Sequence, residues 1–183
     1  MLEDEKEAIS KQMQHLQKLQ KNVEHRLNNI HSAFSLPLDE IHLMTLPPRH
    51  CHRLSEGYKH EEEMDFLMKQ LINLNQNRLY IIGSNQMGTM ISLPSLLKKK
   101  TLSYQSVFLI DEEGADLIDG GDYLCVTYRG NYEQSAYWGQ QLAQYAHAHK
   151  FTIRGDLLEI LWIDIHTTSD ESEYITQLQL PIA

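Results

Sequence analysis

A heptad repeat of apolar residues at the start of the chain most constrains what the protein can fold into. Residues 2–34 contain no glycine or proline, and an apolar residue recurs at every seventh position. A second series, offset by four positions, is apolar except at two places. The two series are Leu2, Ile9, Leu16, Val23 and Ile30, and Lys6, Met13, Gln20, Leu27 and Phe34. This pattern predicts a long helix with a coiled-coil face, which ends before Pro37.

The apolar stripe of this helix has two interpretations. It can pair with the same helix of a second copy, which predicts a homodimer through residues 2–34. It can also fold back on its own domain, because packing within one chain produces the same stripe. In the dimer, Gln20 occupies a core position, where it should pair across the interface or be hydrated.

From Ile41 onward the sequence changes to short strands and two helices, arranged in two similar halves. In each half a strand leads into a glycine, a helix follows, and an apolar strand ends at a second glycine. These glycines are Gly57 and Gly83 in the first half, 26 residues apart, and Gly130 and Gly155 in the second half, 25 residues apart. Such self-similarity is typical of an internal duplication.

The duplicated unit predicts the architecture of the domain. Each unit is a strand, a helix and a pair of strands, and segments 106–113 and 173–182 are the predicted closing strands. The expected fold is α+β, with an antiparallel sheet and the helices on one side. The chain is therefore divided into a coiled-coil helix, residues 1–35, and this duplicated domain, residues 39–183.

Composition and charge exclude several classes of protein. All of the net charge of -9 lies after residue 34, because the helical segment holds five acids and five bases. An acidic body is a poor partner for phosphate backbones. No signal-peptide pattern is visible in the sequence, and no apolar run approaches the length that a membrane span requires. Two distant cysteines suit a reducing compartment, and we expect a cytoplasmic protein without a cofactor. The segment RHCHR (49–53) places its histidines and its cysteine on opposite strand faces, which does not predict a shared metal.

A single glutamate interrupts the strongly apolar segment GDLLEILWIDIH (155–166). Strand alternation places Glu159 on a face that should be buried, with Leu157, Leu161, Ile163 and Ile165. A buried carboxylate costs several kcal/mol unless a partner compensates it. Its partner can be an internal arginine, such as Arg154 or Arg129, or a ligand. If Ile165 pairs near Tyr174, the same face continues to Tyr174, Thr176, Leu178 and Leu180.

The second half of the chain resembles a known family. The segment GDYLCVTYRGNYEQSAYWGQQLAQYAHAHKFTIRGDLLEILWIDIHTTSDESEYITQLQLPI (121–182) is similar to the GyrI-like effector-binding domain. The shared features are a strand into Gly-x-Tyr, a helix, a glycine-led strand with one glutamate, and a final strand ending in Pro-Ile. The preceding heptad helix is similar to the dimerisation helix of MerR-type multidrug-sensing transcription regulators. There it joins a DNA-binding winged helix-turn-helix to the effector domain.

The resemblance implies a binding site and its residues. Glu159 matches the acidic residue at the bottom of the drug pocket, and Tyr174 matches a tyrosine that lines it. Aromatic faces and one carboxylate suit a flat organic cation. The family's aromatic and aliphatic positions differ at Leu161 and Trp162, and Gln177 stands where the family often has Glu. The candidate ligand-binding residues are Glu159, Tyr174, Tyr132, Trp162 and Tyr137.

The leading hypothesis is the ligand-sensing and dimerisation region of a MerR-type regulator, which performs no chemistry. DNA binding would then belong to a domain that this chain does not contain, and we expect the chain to be a fragment of a longer regulator. Two alternatives remain. One is a GyrI-like hydrolase that uses the pocket glutamate to open small reactive rings, and the other is a protein-binding inhibitor similar to gyrase-inhibitory modules. The heptad helix favours the regulator, because neither alternative needs it.

Overall fold

The N-terminal region is one continuous helix, as the heptads predict. The computed structural model describes residues 2–74, 86–98 and 102–183. Helix α1 spans Leu2–Phe34, and its 33 residues make it about 50 Å long. Its first turn carries Glu3, Asp4 and Glu5, which interact favourably with the positive end of the helix dipole.

The described residues after α1 form one antiparallel sheet with three helices. The spatial order of the strands is β1-β6-β8-β7-β3-β4-β2-β5, and every neighbouring pair is antiparallel. The strands are β1 His42–Leu46, β2 Arg49–Leu54, β3 Met87–Ile91, β4 Tyr104–Ile110, β5 Asp116–Ile118, β6 Gly121–Arg129, β7 Leu157–Ile163 and β8 Ile175–Ile182. The helices are α2 Glu61–Leu74, α3 Leu93–Leu97 and α4 Gln134–Ala148, and a 3₁₀ turn covers Glu171–Glu173.

The sheet order confirms the predicted duplication. The unit β2-α2-β3-β4 is repeated as β6-α4-β7-β8, and the two units meet where β3 pairs with β7. The strand that precedes each unit in the sequence pairs with the other unit. Strand β1, which precedes β2, pairs with β6 of the second unit, and β5, which precedes β6, pairs with β2 of the first. The fold class is therefore the predicted α+β arrangement. The apolar segment 79–83, which was matched to the second unit, lies outside the described residues.

Two local predictions differ from the structure. Strand β7 ends at Ile163 because its pairing with β8 shifts between Leu161 and Ile163. Ile165 lies beyond this irregularity and is 37% exposed. The buried face of the strand therefore ends before Ile165, which was predicted to belong to it. Glu159 pairs with Leu178 and not with Leu180, which the pairing of Ile165 with Tyr174 would bring opposite it, so the predicted face is correct at Leu178 while the register is wrong.

Each long helix of the domain covers its own hydrophobic core on one face of the sheet. Helix α2 contributes Leu67, Met68 and Leu71 to a core that includes Leu161. Helix α4 contributes Leu142 and Ala146 to a second core that includes Leu157. Strand β7 thus places one leucine under each helix, and Glu159 lies midway between them along the strand.

In the part of the chain that the structure describes, α1 packs against the domain through its C-terminal end. Ala33 is buried with Ile163 and Ile175, and Ile30 and Trp162 pack around them. The Arg26 guanidinium donates to the backbone oxygen of His166 at 2.6 Å. The rest of the heptad stripe is solvent-exposed in the single chain, including Leu2, Ile9, Met13, Leu16, Val23 and Leu27. No helix in the described residues is both long and apolar enough to cross a membrane.

Candidate functional site: a cavity with a glutamate floor

Glu159 is one of the most deeply buried charged side chains among the described residues. It is 1% exposed and its strand pairing places it directly opposite Thr89. Because β3 and β7 are the equivalent strands of the two units, Thr89 and Glu159 mark the point where the two halves of the domain meet. A carboxylate at this depth is stable only when polar groups compensate it.

Two hydroxyl groups donate hydrogen bonds to the Glu159 carboxylate. Thr89 Oγ1 bonds Oε2 at 2.9 Å, and Ser135 Oγ bonds Oε1. The Tyr128 hydroxyl lies 2.6 Å from Ser135 Oγ and extends the chain of hydroxyls. Burial, and next the negative charge of Glu159, raise the pKa of Tyr128, so this phenol stays protonated. These bonds fix the orientation of the carboxylate.

The two arginines considered as internal partners of Glu159 lie elsewhere. The Arg129 guanidinium is over the Phe34 ring at the end of α1, 5.8 Å from its centroid. The Arg154 guanidinium is beside Gly121, at the start of β6. The ion pairs proposed as a structural explanation of Glu159 are therefore not formed in this structure.

Glu159 forms part of the wall of a cavity of about 480 Å³ between α2 and α4. This volume falls in the range of sites for drug-sized ligands. Met64 of α2 and Ala136 of α4 contribute to opposite sides. The described residues that line it are Tyr58, Lys59, Met64, Leu102, Tyr104, Asn131, Tyr132, Glu133, Ala136, Glu159 and Glu171.

Two stacked tyrosine pairs flank the cavity, one from each unit. Tyr58 and Tyr104 have ring centroids 4.6 Å apart and planes 14° apart. Tyr132 and Tyr174 have centroids 5.4 Å apart and planes 29° apart. Each pair joins the loop before a helix to the start of the unit's last strand, so the two pairs are related by the duplication. Together they provide flat aromatic surfaces close to the carboxylate.

The structure brings together three of the five predicted site residues. Glu159 and Tyr132 line the cavity, and Tyr174 is buried behind Tyr132. Trp162 instead packs near the C-terminal end of α1. Tyr137 is 58% exposed on α4 and contacts Trp138 edge-on at 5.1 Å.

Sequence reasoning missed the first unit's contribution to this site. The tyrosines Tyr58 and Tyr104 were not selected, and neither were the hydroxyl donors Thr89 and Ser135. The internal repeat contained a usable signal, since Gly57-Tyr58 occupies the position of Gly130-Asn131-Tyr132 in the second unit.

A second cavity, of about 490 Å³, lies between α3 and α4. Its described lining is mostly aliphatic, with Phe151, two glutamines and His147, and no carboxylate is among these residues. No group of three or more His, Cys, Asp or Glu side chains within the described ranges is arranged to hold a metal ion. The cavity that contains Glu159 thus combines a buried charge with aromatic walls.

Comparison with known proteins identifies the fold. No family model and no curated relative matches the chain. Among solved structures, the EcmrR C-terminal domain matches with a TM-score of 0.60 and 15% identity, over 79% of this chain and 97% of that one. The fold is the GyrI-like fold expected from the sequence.

Two further structures extend this likeness. EcmrR in its complex with DNA matches with a TM-score of 0.66 and 15% identity, over 99% of this chain and 70% of that one. This match includes the long N-terminal helix. An uncharacterised conserved protein from Listeria innocua matches with a TM-score of 0.51 and 14% identity, over 83% of this chain and 96% of that one. At these identities the comparisons establish the fold of the GyrI-like domain and its preceding helix.

Proposed function

We propose that this chain is the ligand-sensing and dimerisation region of a MerR-type transcription regulator, and that its ligands are lipophilic organic cations. The observation that carries the proposal is Glu159, a 1% exposed carboxylate in the wall of a cavity of about 480 Å³ between two stacked tyrosine pairs. A flat cation would stack on the aromatic faces and neutralise the carboxylate in a site with little water.

The two hydroxyl groups that donate to the carboxylate are neutral. Thr89 and Ser135 stabilise the negative charge without cancelling it. A ligand cation can therefore gain Coulomb energy without first displacing Arg129 or Arg154, which lie elsewhere. The aromatic walls add attraction that depends less on the ligand's charge.

Helix α1 supports the dimer in this proposal. Its heptad residues are exposed along most of its length, with Leu16 at 62% and Val23 at 50%. A contiguous apolar stripe of this kind is unfavourable in water and is covered when two such helices pair. The seven-residue spacing predicts a left-handed supercoil.

A short structural route connects the cavity to α1. Tyr174 stacks on Tyr132 at the cavity, and the next residue, Ile175, packs against Ala33 of α1. A ligand that moves the Tyr132 and Tyr174 rings would therefore change how α1 packs against the domain. In a regulator, α1 would transmit this change to an attached DNA-binding domain. The match of 99% of this chain to EcmrR in a DNA complex supports that arrangement.

Ligand binding is tested with two molecules of the same shape, benzylpyridinium and the neutral diphenylmethane. A ligand that binds only the native state raises the thermal midpoint. We expect benzylpyridinium to raise it more than diphenylmethane at equal concentration. Equal shifts, or no shift with either compound, would contradict the cation proposal.

Dimerisation is tested by sedimentation velocity of the full chain. Leu16→Glu places a charge in the apolar stripe and should convert a dimer to a monomer. Gln17→Glu, on the adjacent side of the helix, adds the same charge outside the stripe and should leave the dimer intact. A wild-type chain that sediments as a monomer at high concentration would refute the dimer.

The hydrolase alternative uses the same carboxylate. A buried glutamate beside Ser135 and Tyr128 could act as a general base toward a small electrophile. This alternative predicts turnover that Glu159→Gln abolishes while ligand binding is retained. The regulator proposal predicts no turnover and a loss of cation affinity in that variant.

A further inference from the structure

The cavity has a second group of carboxylates besides Glu159. Glu133 precedes α4 and Glu171 lies in the 3₁₀ turn before β8, and both are exposed where they line the cavity. Glu133 occupies the N-cap position of α4, but its side chain makes no capping hydrogen bond. Among the described residues, the lining therefore contains three carboxylates and one lysine.

That lysine has an acidic neighbour outside the cavity. The backbone N–H of Lys59 donates to Glu63 Oε2 at 2.8 Å. This bond is the main cause of the lowered pKa of Glu63, and the Lys59 charge contributes as well. Glu63 does not line the cavity. Three carboxylates and one ammonium leave the described part of the lining with an excess of negative charge.

The negative charges lie at two depths. Glu159 is 1% exposed, while Glu133 and Glu171 are exposed at the surface. The remaining wall is largely tyrosine, leucine, methionine and alanine, with one asparagine. A cation held at Glu159 leaves the outer pair of carboxylates without a partner from the ligand.

We propose that the preferred ligand of this cavity is an elongated dication, with one cationic group at Glu159 and the other between Glu133 and Glu171. Its apolar linker lies along Tyr132 and Tyr58. This inference rests on the proposed cation site and adds to it a ligand class, because a single cation uses only the inner charge.

The inner carboxylate, Glu159, and the outer pair, Glu133 and Glu171, contribute unequally to the affinity for a dication. The inner charge is buried and acts across little water, whereas Glu133 and Glu171 are exposed to solvent and are screened by salt. Exposed charge pairs contribute modestly, so we expect the second cationic group to improve affinity about threefold to tenfold at low ionic strength. Most of this gain should disappear when the ionic strength approaches 1 M, where the screening length is about 3 Å.

The test compares α,ω-bis(pyridinium)alkanes of increasing linker length with N-alkylpyridinium ions of the same chain length. Affinities for the full chain are measured by calorimetry at low salt. A ligand with two identical cationic groups can bind in two orientations, which gives it an about twofold statistical advantage. After correction for this factor, we expect the dications to bind about threefold to tenfold tighter than the monocations at an optimal linker length. Glu133→Gln and Glu171→Gln should each reduce this gain, and should weaken monocation binding by a smaller factor than dication binding.

A distant variant separates local from overall charge effects. Glu112→Gln removes one exposed carboxylate from the turn after β4, at the end of that strand opposite Tyr104. It should leave the gain unchanged. Equal affinity of dications and monocations, no dependence on linker length, or equal losses in Glu112→Gln and Glu171→Gln would each overturn the inference. Failure of monocations to bind at all would instead refute the cation site on which it rests.

Discussion

Replacing Glu159 with glutamine is the most direct perturbation of the proposed cation site. The substitution keeps the volume of the side chain and removes its charge. The retained oxygen can accept from Thr89, and the new amide can donate to Ser135 if that hydroxyl turns toward Tyr128. The hydroxyl network therefore tolerates the change, and we expect the variant to fold with its cavity intact.

The magnitude follows from the burial of the charge. A ligand cation about 5 Å from the carboxylate interacts by about 3 kcal/mol at an effective dielectric constant of about 20. Desolvation of the ligand offsets part of this energy. Glu159→Gln should therefore weaken benzylpyridinium binding by at least about 1.4 kcal/mol, which is about tenfold, and by at most about 3 kcal/mol.

Isothermal titration with benzylpyridinium and diphenylmethane measures the effect. The affinity for diphenylmethane should change by less than about twofold, because its contacts are with the tyrosine walls. Glu56→Gln, an exposed glutamate that is not among the cavity-lining residues, provides a control for net charge. Unchanged benzylpyridinium affinity in Glu159→Gln would refute the charge argument. An equal loss for both ligands would show that the cavity itself had collapsed.

Three further predictions concern the walls, the packing and the ionisation of the domain. Tyr132→Ala removes a stacking surface and should weaken the binding of benzylpyridinium and diphenylmethane alike, by about 1 kcal/mol in titrations. Gly88→Ala should lower the free energy of unfolding by about 1–3 kcal/mol in urea, because its Cβ would lie 2.5 Å from the Glu159 backbone oxygen and from the ring of Phe108. Burial raises the pKa of Cys125 to about 12. Its thiol thus stays protonated in the folded state at pH 10, while the unfolded chain loses that proton. Cys125 should therefore contribute a fall in unfolding free energy between about pH 9 and pH 12, approaching 1.4 kcal/mol per pH unit. Chemical unfolding at pH 9 and 10 should show a shallower decline in Cys125→Ala.

The features predicted correctly from sequence are those that repeat along the chain. Helix α1 depends on a heptad pattern and an absence of glycine and proline, both of which are local properties. The duplication is visible because each unit keeps its own glycines and apolar strand. Glu159 was detectable because one charge interrupts an otherwise apolar segment.

The features that were missed depend on which elements meet in space. Trp162 was chosen through the family resemblance, but strand alternation places it on the face of β7 opposite Glu159, where it packs with Leu158 and Ile160. Strand β3 was not predicted, because MGTMI begins with a methionine and a glycine rather than with β-branched residues. Without β3, the pairing of Thr89 with Glu159 could not be anticipated.

The duplication explains why one buried carboxylate, that of Glu159, lies next to both units of the domain. The residues that meet between the two units are Thr89 and Glu159, directly opposite each other in the β3–β7 ladder. Two glutamates at these positions would place like charges within hydrogen-bonding distance, and one of them would have to be neutralised. With threonine in one unit and glutamate in the other, the first supplies a donor and the second a charge. Each unit then adds its own tyrosine pair around this shared centre, so a ligand at Glu159 would contact both halves of the domain. The second half continues through Ile175 to α1, so a cation that binds as we propose would act on the helix from the junction of the two units.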